Sequence, residues 1–371
     1  MRVVICGGGV IGASIAYFLS SRKAEAVVIE RNGVAGAASG KSGGFLALDW
    51  CDGSPLAPLA RRSFELHAEL AAEPGGTWGY RRLDTLSVAL SARRRPSAPG
   101  DPALPGWLAR DARLQHRLGT PETTAQIHPA AFTKGMLNAA LDRGARLHAG
   151  CVTGLAQSGD GGRVTGVLVD HELVEGDAVV IAMGPWSVLA SQWVPMPMVY
   201  GLKGHSLVFR SRDPISPHAL FVDYQAEDGS TSSLEVYPRP DGTTYVCGLS
   251  SEAPLPLDPA EVVPDPDAWE RLRAMTARLA PSLAEAEIVA AQACYRPVAR
   301  DGLPLIGRVP GLEAAYLATG HSVWGMLNAP ATGETMAELI LDGSTTTLDI
   351  AAFDPARLPP LRRPARGAAR P

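Results

Sequence analysis

Cysteine is scarce and scattered along these 371 residues. Five are present (Cys6, Cys51, Cys151, Cys247, Cys294), an odd number with no CxxC spacing, which argues against a disulfide framework or a zinc site and for reduced thiols. Long apolar runs are missing too: none approaches the ~20 residues of a membrane span. The N-terminus enters a strand at once, leaving no room for a signal or transit peptide, so the default expectation is a cytoplasmic protein. Neither sign of charge dominates. A net charge of −4 offers no reason to expect nucleic acid or an anionic membrane as partner. What remains is ordinary globular composition, 46% apolar and 19% charged, in a chain long enough for two well-buried cores.

The first thirty residues are the most informative. Val3-Val4-Ile5 is an apolar run followed directly by Gly7-Gly8-Gly9-Val10-Ile11-Gly12; a helical pattern runs through Ile15, Ala16 and Leu19, and Ala26–Ile29 returns to strand character before Glu30. Strand, glycine turn, helix, strand and terminal acid form the dinucleotide-binding unit. Gly7 permits the tight turn, Gly9 lets a pyrophosphate approach the backbone, and Gly12 lets the helix pack on the strand. Phosphates would sit at the helix N-terminus, where unpaired N–H groups and the helix dipole favour negative charge. Glu30 lies where a carboxylate holds a ribose hydroxyl, which disfavours NADP. The alternative is a βαβ turn with no ligand.

Gly40-Lys41-Ser42 invites a P-loop reading, but the Walker pattern needs glycine where Ala35 stands. A small-residue loop that lets a cofactor lie against backbone, with Ser39 and Ser42 as donors, fits better. Further on, the pattern predicts helices over 58–72, 132–143, 269–279 and 331–341, and strands over 80–90, 145–155, 164–169 and 178–182, the last fully apolar and central. The stretch 91–122, rich in Pro, Arg and Gly, reads as a connecting or mobile segment. From 198 to 249 strand follows strand, as in an antiparallel sheet, and strands follow at 288–293 and 315–318. The tail from Leu358 reads as disordered.

Several stretches resemble the D-amino-acid oxidase / glycine oxidase / sarcosine oxidase family of FAD flavoproteins: GGGVIGASIAY, AMGPWS, YPRPDGTTYVCG, CYRPVARDGLPLIG and ATGHSVWGMLNAPATGETMAELI, in the family's order and over most of the chain. The form CYRP with GHSVWG is similar to a TDA-like branch of that family. The resemblance implies FAD and an α/β fold: a Rossmann-like FAD-binding domain from 1–78, 130–197 and 294–357, and a mainly antiparallel-sheet substrate domain from 79–129 and 198–293. It implies that Val10 and Ile11 approach the pyrophosphate and that Glu30 and Arg31 meet the ribose. Ala38, Ser39, Ser42, Gly43, Gly44, Phe45, Ala182 and Gly184 would contact the cofactor, and Val152 would meet adenine. The stretch Gly320, His321, Ser322, Val323, Trp324, Gly325, Met326 and Leu327 would wrap the flavin ring. N–H groups there, ahead of a helix, suit negative charge on the reduced ring.

By the same resemblance Arg296 clamps a substrate carboxylate, a task that suits a guanidinium's bidentate geometry. The other reading of Arg296 is an ion pair with Asp301. Glu235 and Tyr237 share one strand face, which the family makes the pocket; a plain packing face is the alternative. Two departures stand out. Glycine oxidase has an arginine where Val323 stands, beside Trp324, so a second carboxylate contact is lost and a bulky wall gained. Sarcosine oxidases attach flavin covalently through a cysteine, and Cys294 falls seven residues before Asp301 as theirs does before the matching aspartate; a structural thiol is the reading preferred here. The lysine those oxidases place near the flavin has no match in 237–249, so the electron acceptor, oxygen or another, stays open. The expected activity is oxidation of the C–N bond of an amino acid or secondary (N-methyl) amine by hydride transfer to flavin. The alternatives are a dehydrogenase serving another acceptor, an FAD-stabilised binding or sorting protein with little turnover, and an NAD dehydrogenase with no bound flavin.

Overall fold

Apolar strands with a glycine turn between them pair in parallel, and the rest of the first unit grows from that pairing. The computed structural model describes residues 1–73, 75–93, 100–159, 161–211 and 214–361; most of the tail expected to be disordered, from 362 on, lies outside the described residues. Two units emerge, one from Met1–Gly36, Thr133–Gly201 and the chain from Arg296 onward, the other from Ala37–Phe132 and Leu202–Tyr295.

The first unit holds a six-stranded sheet in the order Leu305–Arg308, Ala315–Thr319, Ala178–Ile181, Arg2–Cys6, Glu25–Glu30, Arg146–Ala149. All neighbours are parallel except the edge strand Leu305–Arg308, which runs antiparallel. Arg2–Cys6 and Ala178–Ile181 are buried almost throughout, as strands covered on both faces must be. The first helix (Val10–Ser21) packs on the last (Gly325–Leu341) closely enough that a Cβ on Gly333 would lie 2.6 Å from the Ser14 backbone. An antiparallel three-stranded sheet, Val152–Gln157, Val164–Val169 and Glu172–Glu175, completes the unit. The single strand expected over 145–155 is therefore two, in different sheets. Gly150 breaks it, its N–H turning back to the Glu30 carbonyl at 3.0 Å.

The second unit is built on a seven-stranded sheet in the order Glu287–Ala299, Val199–Arg210, Thr243–Ser251, Thr231–Pro238, His218–Gln225, Asp84–Ser91, Arg113–Gly119. From Val199–Arg210 to Arg113–Gly119 its neighbours are antiparallel apart from the parallel pairing of Asp84–Ser91 with His218–Gln225. One face is closed by the helix Pro266–Leu279, whose Leu272, Met275 and Leu279 pack on Leu207, Phe209, Leu234, Val236 and Val246. Asp265 stands at this helix's N-cap without capping it; its carboxylate is diverted to the nearly buried Lys203 Nζ at 2.6 Å.

Two expectations need correction. The stretch 91–122 is not simply a connector, since Arg113–Gly119 adds an edge strand to Asp84–Ser91; its expected mobility at 94–99 falls outside the described residues. Residues 37–78, expected with the nucleotide unit, group with the second. Tyr245 Oη donates to the Lys41 carbonyl at 2.9 Å, Arg239 donates to the Ser42 carbonyl at 3.1 Å, and Phe45 stacks on Tyr237.

Candidate active site

In the first unit the glycine turn is as tight as its residues demand. Gly7 has φ +115°, and a Cβ there would lie 2.5 Å from the Ala182 carbonyl, while one on Gly12 would collide with the Gly7 carbonyl. The Ala182 N–H donates to the Cys6 carbonyl at 2.9 Å, so the end of the central strand closes over the turn. Gly9 is the N-cap of the first helix, no side chain caps that end, and no acid occupies its first turn. Glu30 is held beside it: one oxygen accepts the Gly8 N–H at 2.7 Å, the other the Asn32 N–H at 2.8 Å. Lone pairs remain for ribose hydroxyls. Gly7, Gly9, Val10, Ile11, Gly12, Glu30, Arg31 and Ala182 thus converge, and Val152 follows two residues after Gly150, which is tied to Glu30. A backbone cradle that side chains would fill, an uncapped helix start and an oriented carboxylate fit the adenosine diphosphate half of FAD.

The stretch expected to wrap the ring is not a loop throughout. Gly320 and Ser322 take positive φ (+80° and +51°), Ser322–Trp324 forms one 3₁₀ turn, and Gly325, Met326 and Leu327 are already the first turn of the last helix. The helix begins six residues before the expected 331, and Pro330 lies within it. His321 is buried and its Nε2 lies 3.1 Å from Thr332 Oγ1. That hydroxyl donates to the Asn328 carbonyl at 2.8 Å, so its one proton is spent and His321 must donate through Nε2–H. Burial drives the imidazole pKa down to about 3, leaving it neutral. Val323 is 58% exposed. Thr319 Oγ1 ties this segment to Gly184, whose carbonyl it meets at 2.9 Å.

Arg296 lies half-buried on the strand Glu287–Ala299, which runs straight through the CYRP motif. Asp301, the acid offered to it by sequence, is taken by Arg357, which grips both carboxylate oxygens at 2.7 and 3.0 Å. Burial opposes ionisation of Asp301, but the Arg357 hydrogen bond, the Leu303 N–H and the Arg357 charge outweigh it and hold the carboxyl below its usual pKa.

In the second unit the sheet face opposite the helix carries Glu235 and Tyr237 together. Tyr237 Oη donates to Glu235 Oε2 at 2.8 Å, and the Cys247 thiol reaches the same oxygen at 3.4 Å. Burial, reinforced by the Glu235 charge, pushes the Tyr237 phenol well above its usual pKa, so it remains a donor. Gly43 lies against this ring, and a Cβ there would come within 2.5 Å of Tyr237 Cδ2. Gly44 takes φ +81°, the Ser42 hydroxyl is buried without a partner, and Phe45 stacks on Tyr237 at 5.7 Å. Ala38 and Ser39 lie in the short helix Ala38–Lys41, and Cys294 is half-buried. Sequence reasoning missed Cys247, Trp50, Phe221 and Arg357. The first three join the face through strand register and packing, and Arg357 lies 56 residues from its acid; none has a local signature.

Residues 2–339 match the FAD dependent oxidoreductase family, DAO. The chain belongs to that family of FAD-dependent oxidoreductases. It is 30% identical to protein C1F5.03c of Schizosaccharomyces pombe, over 95% of this chain and 97% of that one, and 27% identical to TDA3 of Saccharomyces cerevisiae, over 95% and 94%. Its fold is that of glycine oxidase from Geobacillus kaustophilus, with a TM-score of 0.78 and 25% identity over 96% of this chain and 99% of the other. FAD is thereby the cofactor. Among the described residues no helix is long and apolar enough to cross a membrane, and no group of His, Cys, Asp and Glu could hold a metal ion.

Proposed function

We propose that the chain oxidises the C–N bond of an amino acid or secondary (N-methyl) amine whose carboxylate is held by Arg296. The observation that supports this reading is membership of the FAD-dependent oxidoreductase family, with Arg296 half-buried on the strand Glu287–Ala299 that carries the CYRP stretch. FAD, when bound, supplies a two-electron acceptor for the carbon next to nitrogen. The chain's own residues bind and orient. Arg296 presents a planar fork to the carboxylate; the N–H groups of Gly325, Met326 and Leu327 open a helix whose dipole favours negative charge nearby. Val323, in place of a second arginine, takes away one carboxylate contact, and Trp324 beside it adds bulk, so substrates larger than glycine are expected. Oxidation of an unprotonated amine calls for orientation more than for a dedicated base.

The test is the flavin absorbance of the FAD-loaded protein, followed anaerobically while amino acids and N-methylated amines are added. One class should bleach the band, and Arg296→Ala should abolish bleaching. A flavin that no member of the panel reduces would refute the oxidase reading in favour of a binding role.

A further inference from the structure

Within the second unit, a group of charged side chains closes the neck of one loop. Residues 252–264 connect the strand Thr243–Ser251 to the helix Pro266–Leu279 through the 3₁₀ turn Pro259–Glu261, and they leave Leu257 and Val263 exposed. Ser251 and Asp265 stand at the two ends, and Ser251 Oγ donates to Asp265 Oδ2 at 3.3 Å. Lys203 Nζ donates to Oδ1 at 2.6 Å. The buried His205 ring sets Nε2 3.1 Å from Oδ2, at ion-pair distance though off the line of a hydrogen bond. On the other side of the ring, Nδ1 lies 2.6 Å from the Leu249 carbonyl. Leu249 takes φ +54°, a strained value for a bulky side chain, and the strand register shifts between Lys203 and His205.

Both oxygens facing the ring are acceptors. A neutral imidazole carries one N–H, so it would turn a lone pair on either the carbonyl or the carboxylate, in a site where water does not relieve the clash. A ring protonated at both nitrogens suits both neighbours. The Lys203 hydrogen bond, against some desolvation, holds the Asp265 carboxyl below its usual pKa, so the anion is present throughout the neutral range. The neighbouring strand Glu287–Ala299 contributes Tyr295, whose phenol burial pushes up; it stays a neutral donor, to the Pro254 carbonyl at 2.7 Å.

We infer that His205 is held as an imidazolium in the folded protein, and that this cation latches Asp265 to the sheet and closes the loop 252–264. Loss of one proton as pH rises leaves a nitrogen lone pair facing the carboxylate, and the neck loosens. The Tyr295 tie to Pro254 takes no part in that step, so release falls on the later part of the loop, around Leu257 and Val263. The latch is independent of the substrate reading.

Two measurements on the FAD-loaded full chain test it. In the first, nitrogen NMR of ¹⁵N-labelled histidine near neutral pH, with His205→Gln to assign the signal, should show both ring nitrogens protonated. In the second, limited proteolysis at Leu257 and Val263 is read by mass spectrometry and divided by the rate on a free peptide of the same loop at the same pH. The normalised rate should rise on the order of fivefold between about pH 6 and about pH 9. His205→Gln, which does not titrate, should be flat with pH, and Asp265→Asn should be cut at the fast rate throughout. One unprotonated ring nitrogen near neutral pH, a rate that does not rise in the unmodified protein, or a rise that survives in His205→Gln would each overturn the inference.

Discussion

A histidine that cannot be protonated where it lies must make the protein sensitive to acid, and His321 allows the size to be worked out. Its Nε2–H is committed to Thr332, its Nδ1 is buried without a partner, and no carboxylate compensates a proton there. The folded-state pKa is about 3, against 6.5 for the ordinary group. A depressed histidine pKa means that the unfolded chain binds the proton more readily. Stability is therefore full above the unfolded value and lost as pH falls from there towards the folded one. The slope is about 1.4 kcal/mol per pH unit, so acidifying from about pH 7 to about pH 5 should cost about 2 kcal/mol from this residue alone. The measurement is urea unfolding of the FAD-loaded protein across that range, beside His321→Gln, which keeps a donor for Thr332 and does not titrate. Other groups contribute to both curves and cancel in the difference. The variant should be less stable near neutrality but flatter with pH. Parallel curves, or an imidazole signal titrating near its ordinary pKa in the folded protein, would refute both the tautomer argument and the burial of this ring.

Two further outcomes test the frame around the site. Gly12→Ala places a Cβ on the Gly7 carbonyl, which has no freedom to retreat because Gly7 is pressed against Ala182. The helix start must shift, at about 1–3 kcal/mol of stability, and FAD affinity should drop on the order of tenfold or more, read by quenching of flavin fluorescence; unchanged affinity would refute the cradle. Arg357→Ala should cost about 1 kcal/mol near neutral pH in urea unfolding. Because Asp301 is held below its usual pKa, that cost should vanish as acid protonates the carboxyl. A cost that persists in acid would show that Arg357 acts through packing instead.

The dinucleotide unit was legible because everything it needs is local. Gly7, Gly12 and Glu30 belong to one strand–helix–strand stretch, and the geometry that requires glycine is reached within a few residues. The last helix was legible in kind but not in extent. Pro330 argues for a boundary, yet the fold accepts it inside, so Gly325, Met326 and Leu327 became helix instead of loop. The break at Gly150 was hidden because both halves of 145–157 have strand character, and only the return of its N–H to Glu30 separates them.

Sequence alone determined the glycine turn and the resemblance to amine-oxidising flavoproteins, since these rest on residue types that sterics and helix electrostatics demand at close spacing. It also placed Glu235 and Tyr237 on one face, because a strand's two-residue period is set by its backbone. Which residues oppose them was decided by register between strands distant in the chain, and register brought Cys247 and Phe221 to Glu235. Tertiary structure also chose Arg357 over Arg296 as the partner of Asp301. Charge complementarity permitted either pairing; distance in the folded chain selected one.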